Sequence, residues 1–141
     1  MSGEIPRVTA FETGLPGQYR RTPDGQQWEP DPLLMDERFV AVNVQGKGAV
    51  VFSACSHAGI VNVLTHARDG LPGAPVHAVL GGFHLSGTNE RVIPETIEAM
   101  RPFALKTIAA AHCTGWRAVG ALATAFGNAV VPSSVGKIYR F

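Results

Sequence analysis

Phe39-Val40-Ala41-Val42-Asn43-Val44, Gln45-Gly46-Lys47-Gly48 and Ala49-Val50-Val51-Phe52-Ser53-Ala54 run without a break into Cys55-Ser56-His57-Ala58-Gly59. Two runs rich in β-branched residues, separated by a glycine-containing tetrapeptide, predict a hairpin. The second run ends at His57, and Ile60, Val61, Leu64 and Ala67 then fall at helical spacing. A helix from about Ala58 to Ala67 follows, stopped by Asp69-Gly70-Leu71-Pro72-Gly73.

Downstream the same unit recurs in outline. Val76-His77-Ala78-Val79-Leu80 reads as a buried strand that breaks at Gly81-Gly82-Phe83-His84. The next helix spans about Pro94 to Met100, with proline where the first turn tolerates it and Pro102 as the stop. Lys106 to Ala111 predicts a third strand, ending at His112-Cys113-Thr114-Gly115. The helix after it, Trp116 to Phe126, closes at Gly127-Asn128, and two short strands, Ala129 to Val131 and Lys137 to Phe141, finish the chain. Strands alternating with helices of this length predict an α/β sheet layered by helices. Upstream of the hairpin, Ile5 to Phe11 predicts an extended strand, and Glu12 to Leu34 an irregular loop. A loop that long in a compact domain points to a function or to an absent partner.

The 141 residues suffice for a single domain with a hydrophobic core and are too few for two ordinary ones. Apolar residues make up 45% and charged residues 16%, with no run of like charge, which argues against a disordered chain. A net charge of +1 from scattered residues leaves no basic stripe for nucleic acid. No apolar run approaches the roughly 20 residues that span a bilayer, and Glu4 sits where a signal peptide is basic, so the expectation is a soluble, cytoplasmic protein without a membrane role. The two cysteines, Cys55 and Cys113, are expected to be reduced thiols.

In open α/β sheets ligands bind beyond the carboxyl ends of the strands. A histidine stands at each of the three strand-to-helix junctions: His57, His84 and His112. A helix N-terminus disfavours imidazolium, and neutral imidazole is what a zinc or iron ion requires, so His57 and His112 are read as metal ligands. His84 has three readings: a histidine beside a close backbone passage at Gly81-Gly82, a metal ligand, or a substrate-binding or proton-transfer group. The Thr114 hydroxyl and Gly115 amide suit an anionic substrate oxygen. His66 and His77 are read as structural. A rival reading joins Cys55, Cys113, His57 and His112 in a structural zinc site, although the spacing matches no finger or ribbon. No Ser-His-Asp order, phosphate loop or paired carboxylate appears.

Ala54-Cys55-Ser56-His57-Ala58-Gly59-Ile60-Val61-Asn62, Gly81-Gly82-Phe83-His84-Leu85 and His112-Cys113-Thr114-Gly115 together resemble the metallo-β-lactamase superfamily, in particular its dihydropterin ribofuranosyl-aminobenzene phosphate synthase-like branch. Gly3-Glu4-Ile5-Pro6-Arg7 and Trp28-Glu29-Pro30-Asp31-Pro32 are similar to that branch as well. The resemblance implies the C-terminal half of an αββα sandwich, one partial domain over residues 1–141, with strand and long loop to residue 35 and the hairpin, helices and strands over 36–141. It also implies one or two metal ions, usually zinc with iron or manganese as alternatives, held in part by His57 and His112, with His84 facing substrate.

The branch's His-x-His-x-Asp-His signature is not in this sequence. A hydrolase or transferase site built here is therefore expected to need further ligands, from a separately encoded N-terminal half or a second copy of the chain. The alternative is a non-catalytic module that pairs through a sheet face left open. The substrate expected from the resemblance is a small molecule, phosphorylated or pterin-like.

Overall fold

The computed structural model describes all 141 residues. A small hairpin comes first, β1 (Tyr19–Arg21) and β2 (Trp28–Pro30). A four-stranded sheet follows, built from β3 (Phe39–Val44), β4 (Gly48–Ser53), β5 (Val76–Gly82) and β6 (Thr107–Ala111), interleaved with α1 (Ile60–Gly70), α2 (Ile93–Met100) and α3 (Trp116–Phe126). The strands lie in the order β3-β4-β5-β6, with β3 and β4 antiparallel and the remaining pairs parallel. The expected hairpin and both strand-helix-strand units are present, because their apolar runs match the period of the element each forms.

Alternation along the strands sorts the two faces. Phe39, Val51, Val79 and Ile108 enter one core with Ile60, Val63 and Leu64 of α1, Ile97 and Met100 of α2, and Leu122 of α3. On the opposite face the register sets Val40 against Phe52 and Val42 against Val50. Val40, Val42 and Phe52 keep 45%, 50% and 42% of their surface exposed, whereas Val50, Ala78 and Ala109 are buried. Three large apolar side chains thus share an open patch at the hairpin edge.

The N-terminal third departs from expectation. Residues 5–11 form no strand. Pro6 has no amide proton, and the Val8 and Thr9 amides donate to the Asn62 side chain at 2.9 and 3.0 Å instead of to a neighbouring strand. The expected irregular loop contains the β1–β2 hairpin, clasped by Arg20 to Glu29 at 2.8 Å. At the other end, the expected closing strands reduce to one parallel bridge between Ile108 and Val130, and Lys137 to Phe141 is irregular.

Candidate metal centre

Parallel strands place their carboxyl ends on one rim, so β4, β5 and β6 deliver His57, His84 and His112 to the same edge of the sheet. Five non-glycine residues have positive φ, and three of them are here: Ser56 at 54°, His84 at 47° and His112 at 22°. Such backbone is costly and clusters at functional sites. What holds it is local bonding. The Ser56 hydroxyl donates to the Gly82 carbonyl at 2.7 Å and meets Ser53 Oγ at 2.8 Å, joining the ends of β4 and β5.

His57 is gripped from the N-terminal segment. Its Nδ1 lies 3.1 Å from Asp36, and its carbonyl accepts a 2.8 Å bond from Arg7. Glu37 accepts from the Cys55 and Ala58 amides at 3.3 and 2.9 Å, on either side of the histidine. The Glu12 carboxylate accepts from the Val61 and Asn62 amides at 2.8 and 2.9 Å and so caps α1, which has no local side-chain cap. Burial pushes the Glu12 carboxyl above its ordinary range, against the lowering effect of those hydrogen bonds. None of these residues was singled out from sequence as a contact of His57; the one signal was the excess length of the Glu12–Leu34 loop, whose two ends they flank. Residues on either side of the expected loop, together with Glu12 at its start, thus grip the His57 loop of this chain.

The His84 ring meets the His57 ring edge to face, with centroids 4.9 Å apart. Its Nδ1 is buried without a partner. Desolvation, followed by the fields of His57 and His112 and opposed by Glu37, holds its pKa below the usual histidine value. A neutral imidazole with an unspent nitrogen is a ligand or a proton acceptor. His57 and His84 share a cleft with Phe11, Glu12, Gly14 and Asn89.

His112 faces differently. Its Nε2 is 3.1 Å from Cys55 Sγ, and the ligand atoms of Cys55, His112 and Cys113 all lie within 4.8 Å of one another. His57 is not in that group, so the four-residue cysteine and histidine site considered from sequence is gathered only in part. Burial, with a contribution from Cys55, pushes the Cys113 thiol up to about 11. Thr114 is fully buried, and its hydroxyl accepts the Phe83 amide at 3.0 Å beneath the His84 loop. The Gly115 amide donates to the His112 carbonyl at 3.4 Å. In this structure both bond within the turns that carry the histidines. His66 bonds the Ser2 carbonyl through Nε2 at 2.9 Å, and His77 packs edge to face on Phe141.

Nitrogen, carboxylate and sulfur donors at one rim, with an orphaned imidazole nitrogen among them, fit a zinc-type ion. A carboxylate on Nδ1 of His57 is the outer contact that fixes a metal-ligating histidine and leaves Nε2 free.

No family model matches the sequence. The chain is 36% identical over 107 residues to a 7,8-dihydropterin-6-methyl-4-(beta-D-ribofuranosyl)-aminobenzene-5'-phosphate synthase of Methanocaldococcus jannaschii, an alignment covering 75% of this chain and 36% of that protein. An uncharacterised protein of the same organism is 29% identical over 138 residues, 98% of this chain and 48% of the relative. Among solved structures, a metal-dependent hydrolase of the beta-lactamase superfamily superposes with a TM-score of 0.77 at 26% identity, over 90% of this chain and 48% of that one. The chain spans about half or less of the length of each protein it matches.

Proposed function

We propose, from the premise that this chain carries the metallo-β-lactamase superfamily fold over about half of that fold's length, that it contributes one wall of a metal-dependent hydrolase or transferase site. His57 and His112 hold the ion, and His84 faces substrate. Further ligands come from another polypeptide segment or a second copy of the chain, since a catalytic zinc wants about three protein ligands with one open position. The ion, zinc with iron or manganese as alternatives, supplies Lewis-acid polarisation of a substrate oxygen and acidification of water. This chain's own residues orient His57 through Asp36, keep His84 neutral, and place it to accept or return a proton. The substrate class is a small phosphorylated or pterin-like molecule, by similarity to the synthase relative.

The observation that supports this reading best is the Asp36 carboxylate on His57 Nδ1 beside the unpartnered His84. Zinc titration by calorimetry tests it. In a Cys55→Ser/Cys113→Ser background, which isolates the histidine site, His57→Ala and His112→Ala are expected to lose affinity outright, and Asp36→Ala to lose about 10- to 100-fold. Zinc affinity in that background that neither His57→Ala nor His112→Ala changes overturns it. A second reading, a module that pairs through its sheet, is favoured by the exposed Val40, Val42 and Phe52.

A further inference from the structure

Gly82 sits at the carboxyl end of β5, between β4 and β6, and its lack of a side chain is what lets the neighbouring strands meet above it. A β-carbon there would stand 2.5 Å from both His112 Nε2 and Cys113 Sγ. In that space Cys55, from the end of β4, approaches His112, from the end of β6, to 3.1 Å. Cys113 completes the triangle within 4.8 Å. A tetrahedral zinc with bonds of about 2.3 Å to sulfur and about 2.0 Å to nitrogen sets such atoms roughly 3.5 to 3.8 Å apart. Shifts of a few tenths of an ångström would bring the Cys55 and His112 pair there. The cysteines are half-buried and His112 is exposed, so an ion has a route in and room for a water as fourth ligand.

We propose that Cys55, His112 and Cys113 form a thiophilic zinc site of their own, complete within this chain and separate from the His57 and His84 cleft. Binding displaces a proton from each thiol and gives a Cys-His-Cys set with one open position. His112 belongs to either set, so occupancy of the thiolate site withdraws it from the hydrolytic one. The inference goes beyond the proposed hydrolase reading and does not depend on it.

Cobalt(II) titration of the full chain under reductant tests the site, because thiolate ligation gives a sulfur-to-cobalt charge-transfer absorption that histidine and oxygen ligation does not. The band is expected in the wild type and absent from Cys55→Ser/Cys113→Ser. In His112→Ala the affinity should fall by more than the roughly 10- to 100-fold that loss of an outer partner costs. His57→Ala should keep the band at unchanged affinity. A second readout needs no variant: zinc should protect both cysteines of the wild type from alkylation. Cobalt binding without the band, a band lost in His57→Ala, or alkylation indifferent to zinc overturns the proposal. Zinc held through His57 with both thiols still reactive would overturn it while leaving the hydrolase reading standing.

Discussion

The Glu12 carboxyl occupies the place a β-carbon on Gly59 would take, so these two residues, 47 positions apart in the chain, exclude any side chain at the entrance to α1. Gly59 also has φ of 94°, outside the comfortable range of other residues. Gly59→Ala is therefore expected to lose about 2–5 kcal/mol from strain and overlap together. Denaturant unfolding measures it. A variant within 0.5 kcal/mol of the wild type, about the scatter of neutral surface changes, would show that the carboxyl does not hold this position.

Glu12 also predicts a pH dependence. Its folded pKa is raised by burial above the ordinary value of 4.5, so between those two values the folded chain binds more protons than the unfolded one. Stability from this group then falls as pH rises through the window and is greatest below 4.5. Relative to Glu12→Gln, the wild type should gain stability as the solution is acidified from neutrality. A stability difference that moves the other way, read from paired urea titrations, would mean that the amide hydrogen bonds outweigh desolvation.

The three histidines were legible in the sequence because each follows an apolar run that forms its strand with local signals alone. Gly81-Gly82 was legible as a close backbone passage, and Gly81 does lie against Ser53 of β4. The clamp on His57 was not, since Glu12, Glu37 and Asp36 act across 18 to 50 residues and a lone carboxylate in a loop announces no partner. The gathering of Cys55 and Cys113 with His112 was considered from the sequence, but the exclusion of His57 from that group was not legible. The gathering depends on strand order, which puts β5 and its glycine between Cys55 and His112. The misread strand at residues 5–11 has the same cause: an asparagine on a distant helix takes the hydrogen bonds a sheet would have taken.

Asn62 gives a local test of that account. Fully buried, it accepts from the Val8 and Thr9 amides and donates to the Ala58 carbonyl at 2.7 Å. Asn62→Ala should cost about 1–3 kcal/mol, the penalty for groups left without partners. Hydrogen exchange should accelerate at the Val8 and Thr9 amides first. Unchanged protection there would show that the N-terminal segment is held by other contacts.

Thr96 offers a change in the opposite direction. It is fully buried on α2, and its Oγ1 has no hydrogen-bond partner. Thr96→Val removes an unpaired hydroxyl and keeps the branched shape, so stability should rise by about 1 kcal/mol. A loss on this substitution would reveal a partner for the hydroxyl.

The open patch on the hairpin edge makes the last prediction. Val40 and Phe52 are directly paired across β3 and β4 and are more than two-fifths exposed, so charges there remove little buried area. Val40→Lys/Phe52→Glu should leave the unfolding midpoint nearly unchanged, and the opposite charges at paired positions favour the same register. Natural sheets place charge at such positions to prevent edge and face association. If the patch packs against a second copy or another segment, the wild type should self-associate with rising concentration in sedimentation velocity, and the variant should stay monomeric. Association that persists in the charged variant would place the contact elsewhere. A wild type that remains monomeric at every concentration would remove the homodimer as the source of the further ligands, and a separate polypeptide would be left to supply them.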